Sequence, residues 1–322
     1  MDKSKRNFLV MAALAAGVSL TGTSAYAEGK SIAGIVFQQD QYMRGVQIGM
    51  EKATAESDDQ LLSANSDSKL EKEAQLIDTY IARGVDAIAV TPLSADASMT
   101  ALKKARDAGV IVVTFGTTVN GDIAQASVTS SNTDIGIGTG KAAVEFLKEL
   151  GGGEKVKIGT LAFKSLLPEQ SDGRVNGFLS QVEDYVDVVS AQDAWLAEKA
   201  VAVASDMLTA NPDIQVLYAA NEGGTVGAVQ AVKRAGLEGK VFVFGTDGSE
   251  QLANMLLDDD NVLQAVTAQQ PLEVGRLAID AAIKLIDGEE VEKDISVPVL
   301  PLQRIDPEGV NAFKEGLKAL TN

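Results

Sequence analysis

The sequence predicts an α/β protein made of two doubly wound parallel-sheet lobes. Three observations carry this expectation. Apolar runs of strand length alternate with amphipathic stretches of helical length over most of the chain, the pattern of a parallel sheet covered by helices on both faces. The alternation restarts after the run at 110–115, so a second unit follows the first. The 322-residue chain also exceeds one ordinary domain. No low-complexity linker divides it, so a short linker or several strand-like crossings must join the two units.

The elements of the first unit read in order. A buried strand is predicted at 32–37 and a helix with apolar positions at helical spacing at 42–56. A strand at 61–64 precedes a charged-faced helix at 69–83. The strand at 86–90 ends at Thr91-Pro92, the helix at 97–108 stops at Gly109, and a fourth strand covers 110–115. The second unit opens with a short strand-like run at 126–128 and a helix at 133–150 closed by three glycines. Strands at 155–161, 186–190, 215–219, 240–245 and 262–268 then alternate with helices at 172–182, 195–210, 222–235, 250–257 and 272–287. The tail differs. Residues 295–302 are extended, with Pro298 and Pro301, and 306–320 reads as a helix with Asp306 as N-cap and Pro307 in its first position.

The beginning of the chain sets the expected compartment. Lys3, Lys5 and Arg6 precede an apolar run at 8–20, and Ala25-Tyr26-Ala27 fits a signal-peptidase site. Export to the periplasm is expected, with cleavage after Ala27; Ser4-Lys5-Arg6 only loosely fits a twin-arginine signal. Three cations and one acid leave with that segment, so the mature chain would carry −19 rather than −17. Such acidity repels nucleic acid and anionic lipid. The absence of cysteine excludes disulfides, thiolate metal sites and a lipidated N-terminal cysteine. The absence of histidine removes the commonest metal ligand and general base. No metal, cofactor or catalytic group is expected.

Two motifs lack what their chemistry requires. Gly136-Ile137-Gly138-Thr139-Gly140-Lys141 lacks the spacing of a phosphate loop and sits inside a helix pattern, so close helix packing is expected. Asp258-Asp259-Asp260-Asn261 lacks the glycine and distal glutamate of a calcium loop and reads as a solvated turn. More informative are polar residues where strands end: Gln38-Gln39-Asp40, Asn221-Glu222 and Thr246-Asp247-Gly248. Ligands of parallel sheets bind beyond the carboxyl ends of the strands. Carboxylates with amides suit hydroxyl groups, which both donate and accept. Tyr42 and Trp195 each follow a strand and could present a flat face to a sugar ring. Two carboxylates such as Asp40 and Asp247 also leave open a glycosidase-like acid and base.

Several segments together resemble the ribose-binding-protein branch of the periplasmic sugar-binding proteins. They include Gly84-Val85-Asp86-Ala87-Ile88-Ala89-Val90-Thr91-Pro92, Leu208-Thr209-Ala210-Asn211-Pro212-Asp213-Ile214, Ala220-Asn221-Glu222, Val243-Phe244-Gly245-Thr246-Asp247-Gly248 and Thr267-Ala268-Gln269-Gln270-Pro271. The resemblance spans about residues 31–294 and implies a type I periplasmic binding protein, its two lobes joined by a three-strand hinge. It implies lobe one at 28–130 plus 270–297 and lobe two at 131–269 plus 298–322, with crossings near Ser130-Ser131, Gln269-Gln270 and Val297-Pro298.

It also implies a pocket of Asp40, Tyr42, Met43 and Thr117 from lobe one and Asp172, Trp195, Asn221 and Asp247 from lobe two, with Gln269 at a crossing. In the family's pattern an Asp-Arg pair stands where this chain has Gly116-Thr117, and an arginine where it has Ser171 or Asp172. Arg174 is present, but its family counterpart is not the main ligand. The implied pocket is therefore poor in arginine and rich in acceptors, and suits a small sugar, a polyol or a cationic amino sugar rather than ribose or a sugar phosphate. The implied partner is the permease of an ABC transporter, with the binding protein a monomer. A chemoreceptor or sensor kinase is a compatible second partner. A sugar-responsive repressor would need a basic helix-turn-helix where the apolar leader stands.

Overall fold

The computed structural model describes residues 29–39 and 41–318. The leader with its cleavage site, and Asp40, lie outside the described residues. Two six-stranded sheets form the frame. The first contains β1 (Ser31–Val36), β2 (Gln60–Asn65), β3 (Ala87–Val90), β4 (Ile111–Phe115), β5 (Ala126–Thr129) and β11 (Asp294–Ser296), in the order β11-β5-β4-β3-β1-β2. All its pairings are parallel. The second contains β6 (Val156–Ala162), β7 (Val186–Asp193), β8 (Val216–Ala219), β9 (Phe242–Thr246), β10 (Leu263–Ala268) and β12 (Leu300–Gln303), in the order β12-β10-β9-β8-β6-β7.

Burial on both faces explains the continuous apolar runs of the strands. Ile32, Val36, Ala87 and Ala89 face one core of the first sheet, while Ala33, Ile35, Ile88 and Val90 face the other, as a two-residue period requires. The second sheet repeats this arrangement with its own two cores. The first sheet is covered by α1 (Gln41–Glu56), α2 (Leu70–Arg83), α3 (Met99–Asp107) and α9 (Pro271–Ile286). The helices of the second unit are α4 (Asn132–Gly151), α5 (Pro168–Val182), α6 (Ala197–Ala210), α7 (Glu222–Arg234), α8 (Glu250–Leu257) and α10 (Pro307–Lys318).

The chain passes between the sheets three times. It leaves β5 and enters α4 through Ser130-Ser131, leaves β10 and enters α9 through Gln269-Gln270, and leaves β11 for β12 through 297–299. The extended tail predicted at 295–302 is thus two short strands in different sheets. β12 is the exception to parallel pairing: it runs antiparallel to β10, with Leu300 opposite Ala268. Its chain arrives from the other sheet beside the carboxyl end of β10, so it can only run back along that strand.

The glycine-rich stretch of α4 is a packing seam. A Cβ at Gly136 would collide with the Arg174 carbonyl oxygen, and one at Gly177 with the Thr133 carbonyl oxygen, so α4 and α5 meet backbone to backbone. Thr139 lies in the same stretch, its hydroxyl 2.8 Å from the Gly245 carbonyl oxygen and 2.8 Å from Thr267 Oγ1, which fastens α4 to the second sheet. The acidic run at 258–260 is likewise structural. Lys233 Nζ lies 2.6 Å from Asp260 Oδ2, and Arg304 bonds the carbonyls of Met255 and Leu263 beside it. Among the described residues no acidic cluster is arranged to hold a metal ion, and no helix is long and apolar enough to cross a membrane.

Candidate functional site

A cleft of about 960 Å³ opens where the carboxyl ends of the strands of both sheets converge. From the first lobe it is lined by Phe37, Tyr42, Met43, Thr91, Gly116 and Thr117. Tyr42 and Met43 stand in the first turn of α1, directly after β1, with Met43 buried and Tyr42 partly buried. Gly116 follows β4 with φ +70°, a left-handed turn that glycine makes without strain. The Gly116 amide donates to the Val128 carbonyl and the Thr117 amide to the Phe115 carbonyl, which turns Thr117 toward the cleft.

The second lobe supplies a connected polar wall. Asn221 caps α7: its Oδ1 accepts from the Gly224 amide at 3.1 Å, and its Nδ2 donates to the Trp195 carbonyl at 2.9 Å. One side chain therefore both starts the helix and holds the loop that carries Trp195. Asp247 follows β9 with φ +71°, a conformation that costs a non-glycine residue energy and is retained where the surroundings fix it. Here they do. Asp247 Oδ2 accepts from the Glu222 amide at 2.9 Å, and Oδ1 accepts from Arg174 Nη1 at 2.9 Å and from Gln269 Nε2 at 3.3 Å.

Arg174 is the cation of the cleft. Its side chain is only 7% exposed. Nε donates to Asn132 Oδ1 at 3.0 Å and Nη1 also to the Ala220 carbonyl at 3.0 Å, while the guanidinium carbon stands 5.3 Å from the centre of the Phe163 ring. Beneath it, Tyr218 stacks on Phe178 with ring centres 3.9 Å apart and donates its hydroxyl to the Arg174 carbonyl at 3.1 Å. Burial pushes the Tyr218 phenol far above its ordinary range. At the rim, burial works to raise Asp193, but hydrogen bonds from Ser165 and from the amides of Ser165 and Lys164 outweigh it and hold the carboxyl below its ordinary value. Those bonds fix the loop that presents Leu166 and Leu167 to the mouth.

Seven of the nine residues expected from the sequence line this cleft: Tyr42, Met43, Thr117, Trp195, Asn221, Asp247 and Gln269. Asp40 lies outside the described residues. Asp172 is displaced from the expected position. Its carboxylate pairs with Lys164 Nζ at 2.8 Å, and it is absent from the cleft wall. The cause is helical geometry. Gln170 and Arg174, four residues apart on α5, face the cleft together, and a residue two positions from each points away. The expected arginine-poor, acceptor-rich pocket is corrected accordingly, because a buried guanidinium is paired with its principal carboxylate. Gln170 and Asn132 are wall residues outside the expected pocket, and Arg174, which the resemblance sets apart from the main ligands, stands in the wall with them. Pro168, a residue favoured in the first turn of a helix, was the signal that α5 starts early enough to bring the Gln170–Arg174 face inward.

Residues 34–290 match the family model described as a periplasmic binding protein domain. The chain belongs to this family. As a periplasmic binding protein it has the type I fold, with two parallel-sheet α/β lobes. It is 28% identical over 309 residues to the ABC transporter periplasmic-binding protein YphF of Escherichia coli (strain K12), covering 92% of both chains. It is 32% identical over 236 residues to the D-ribose/D-allose-binding protein of Pseudomonas aeruginosa, covering 70% of this binding protein and 72% of the relative. Among solved structures, an ABC transporter periplasmic solute-binding protein from Actinobacillus succinogenes 130z with bound D-allose superposes with a TM-score of 0.77 at 26% identity, over 88% of this chain and 99% of that one.

Proposed function

We propose that this chain is the periplasmic solute-binding component of a sugar ABC importer, and that it captures a neutral small sugar or polyol in the cleft between its lobes. The carrying observation is the Arg174–Asp247 pair at 2.9 Å in the polar wall. Each charge is answered inside the protein, so a ligand that adds an unpaired charge is at a disadvantage. An anionic sugar would face Asp247 and Glu222, and a cationic one the Arg174 guanidinium. A neutral polyol supplies hydroxyls that donate to Asp247 and accept from Arg174, Asn221 and Gln269. Tyr42 and Trp195, from opposite lobes, are the surfaces on which the apolar faces of a ring would stack. Met43 and Thr117 complete the first-lobe side, and Asp40 is proposed with them.

Lobe one is taken as 28–130 plus 270–297 and lobe two as 131–269 plus 298–322. Ligand that touches both lobes favours the closed form, and a permease then receives that form. The role requires no chemical step and no cofactor. The mature chain, cleaved after Ala27, is proposed to act as a monomer in the periplasm.

The test is thermal and chemical unfolding of the mature protein with D-ribose, D-allose, myo-inositol, glucosamine and ribose 5-phosphate. A neutral ligand at 100 times its Kd is expected to add about 2.7 kcal/mol. The fluorescence of Trp195, the only tryptophan of the chain, is expected to change in step. Stabilisation by the phosphate or the amine ahead of every neutral compound would overturn the neutral-ligand assignment.

A further inference from the structure

Hydrogen bonds run unbroken along the back of the cleft from one interlobe crossing to the next. Asn132 Oδ1 accepts from Arg174 Nε, Arg174 Nη1 donates to Asp247 Oδ1, and Gln269 Nε2 donates to that same oxygen, at 3.0, 2.9 and 3.3 Å. Both ends of this chain have a particular place. Asn132 opens α4 immediately after the Ser130-Ser131 crossing, and Gln269 lies within the second crossing. The next residue, Gln270, donates from Nε2 to the Pro298 carbonyl at 2.7 Å and so joins the second crossing to the third. Two of the three links between the lobes therefore reach one ion pair through side chains, and the third is tied to the second beside it.

We propose that Asn132 is a positioning residue for ligand capture. A guanidinium is a rigid plane. With Nε held by Asn132 and Nη1 held by Asp247 and the Ala220 carbonyl, the plane is fixed at three points, and Nη2 carries no hydrogen bond among the described residues. Asn132 thus sets where Nη2 stands in the cleft. It also makes any pull on the guanidinium by a ligand a pull on the first crossing. Gln269 does the same for Asp247 at the second crossing. Capture and lobe rotation are then coupled through one bonded network with named members.

The inference rests on the cleft being the ligand site, and its test separates the two. The chain has no cysteine, so Lys52→Cys and Glu238→Cys, at exposed positions on opposite lobes, give a clean pair of spin labels. Pulsed dipolar spectroscopy on the ligand-free mature protein is expected to show a broader interlobe distance distribution for Asn132→Ala and for Gln269→Ala. Asn132→Asp, which keeps an acceptor for Nε, is expected to retain the parent distribution, and so is Asp172→Ala, which lies off the network. Titration with D-ribose, D-allose and myo-inositol is expected to show affinity weakened about tenfold in Asn132→Ala, the scale of one charge-assisted hydrogen bond, with the unfolding midpoint lowered by the loss of the Nε acceptor, and both restored in Asn132→Asp. Parent-like distances in both alanine variants would overturn the coupling. If none of the three compounds binds the parent protein, the ligand reading is in doubt, and the distance distributions still decide the role of Asn132.

Discussion

At the residue scale, the cleft is governed by the difference between a charge that is paired and one that is abandoned. Arg174 is 7% exposed and Asp247 23% exposed, so removing either member strands the other in poor solvent. Asp247→Ala leaves the guanidinium with only Asn132 and the Ala220 carbonyl. It is expected to cost about 3 kcal/mol in urea unfolding, the scale for breaking a buried pair. Arg174→Met is expected to cost less, because Asp247 keeps the Glu222 amide and Gln269 and is the more exposed partner. Tyr218 makes a prediction on the alkaline side. Its folded phenol ionises only far above its unfolded value, so between those two values the folded state retains a proton that the unfolded state has lost. Its contribution to stability is whole below about pH 10 and declines above it. Tyr218→Phe keeps the stack on Phe178 and is expected to flatten that decline between pH 10 and 11, measured by denaturant titration at each pH.

At the scale of elements, the seam between α4 and α5 places Arg174 against the first turns of α4, so a side chain added there moves the site as well as the helix. Gly136→Ala must push the Arg174 carbonyl away and is expected to cost about 1–3 kcal/mol and to weaken ligand binding. Gly316→Ala has the opposite sign. Gly316 lies inside α10 with open space where its Cβ would go, and the substitution is expected to stabilise by about 0.5–1 kcal/mol. Melting temperatures of the two variants give the comparison directly. The sequence was most informative at this scale. Runs such as 87–90 and 216–219 are wholly buried and apolar, and such runs between turn signals read as strands of a covered sheet. The direction of β12 was not readable, since a pairing side chain has the same character whichever way its strand runs. The start of α5 was misread by four residues. Asp172 entered the expected pocket, and Arg174 stayed out of it, because the resemblance aligned the family's arginine with Ser171 or Asp172, and matching segments do not say which face of a helix turns inward.

At the scale of the whole molecule, neither lobe is a continuous piece of chain. α9 and β11 complete the first sheet and its core, while β12 and α10 complete the second. A chain ending at Ala268 loses parts of both, and no cooperative unfolding transition is expected from its far-ultraviolet circular dichroism. This interleaving was legible only through the order of several matching segments, because hydrophobic period alone says where strands are and not which sheet they join. The three crossings also decide how the molecule carries load. A pull applied between the first described strand, an interior strand of one sheet, and the last described helix is shared among three short tethers side by side. The edge strand β12, paired to one neighbour over four residues, bears the same tension alone. Under force the molecule should therefore fray from its tail while the joint between its halves still holds.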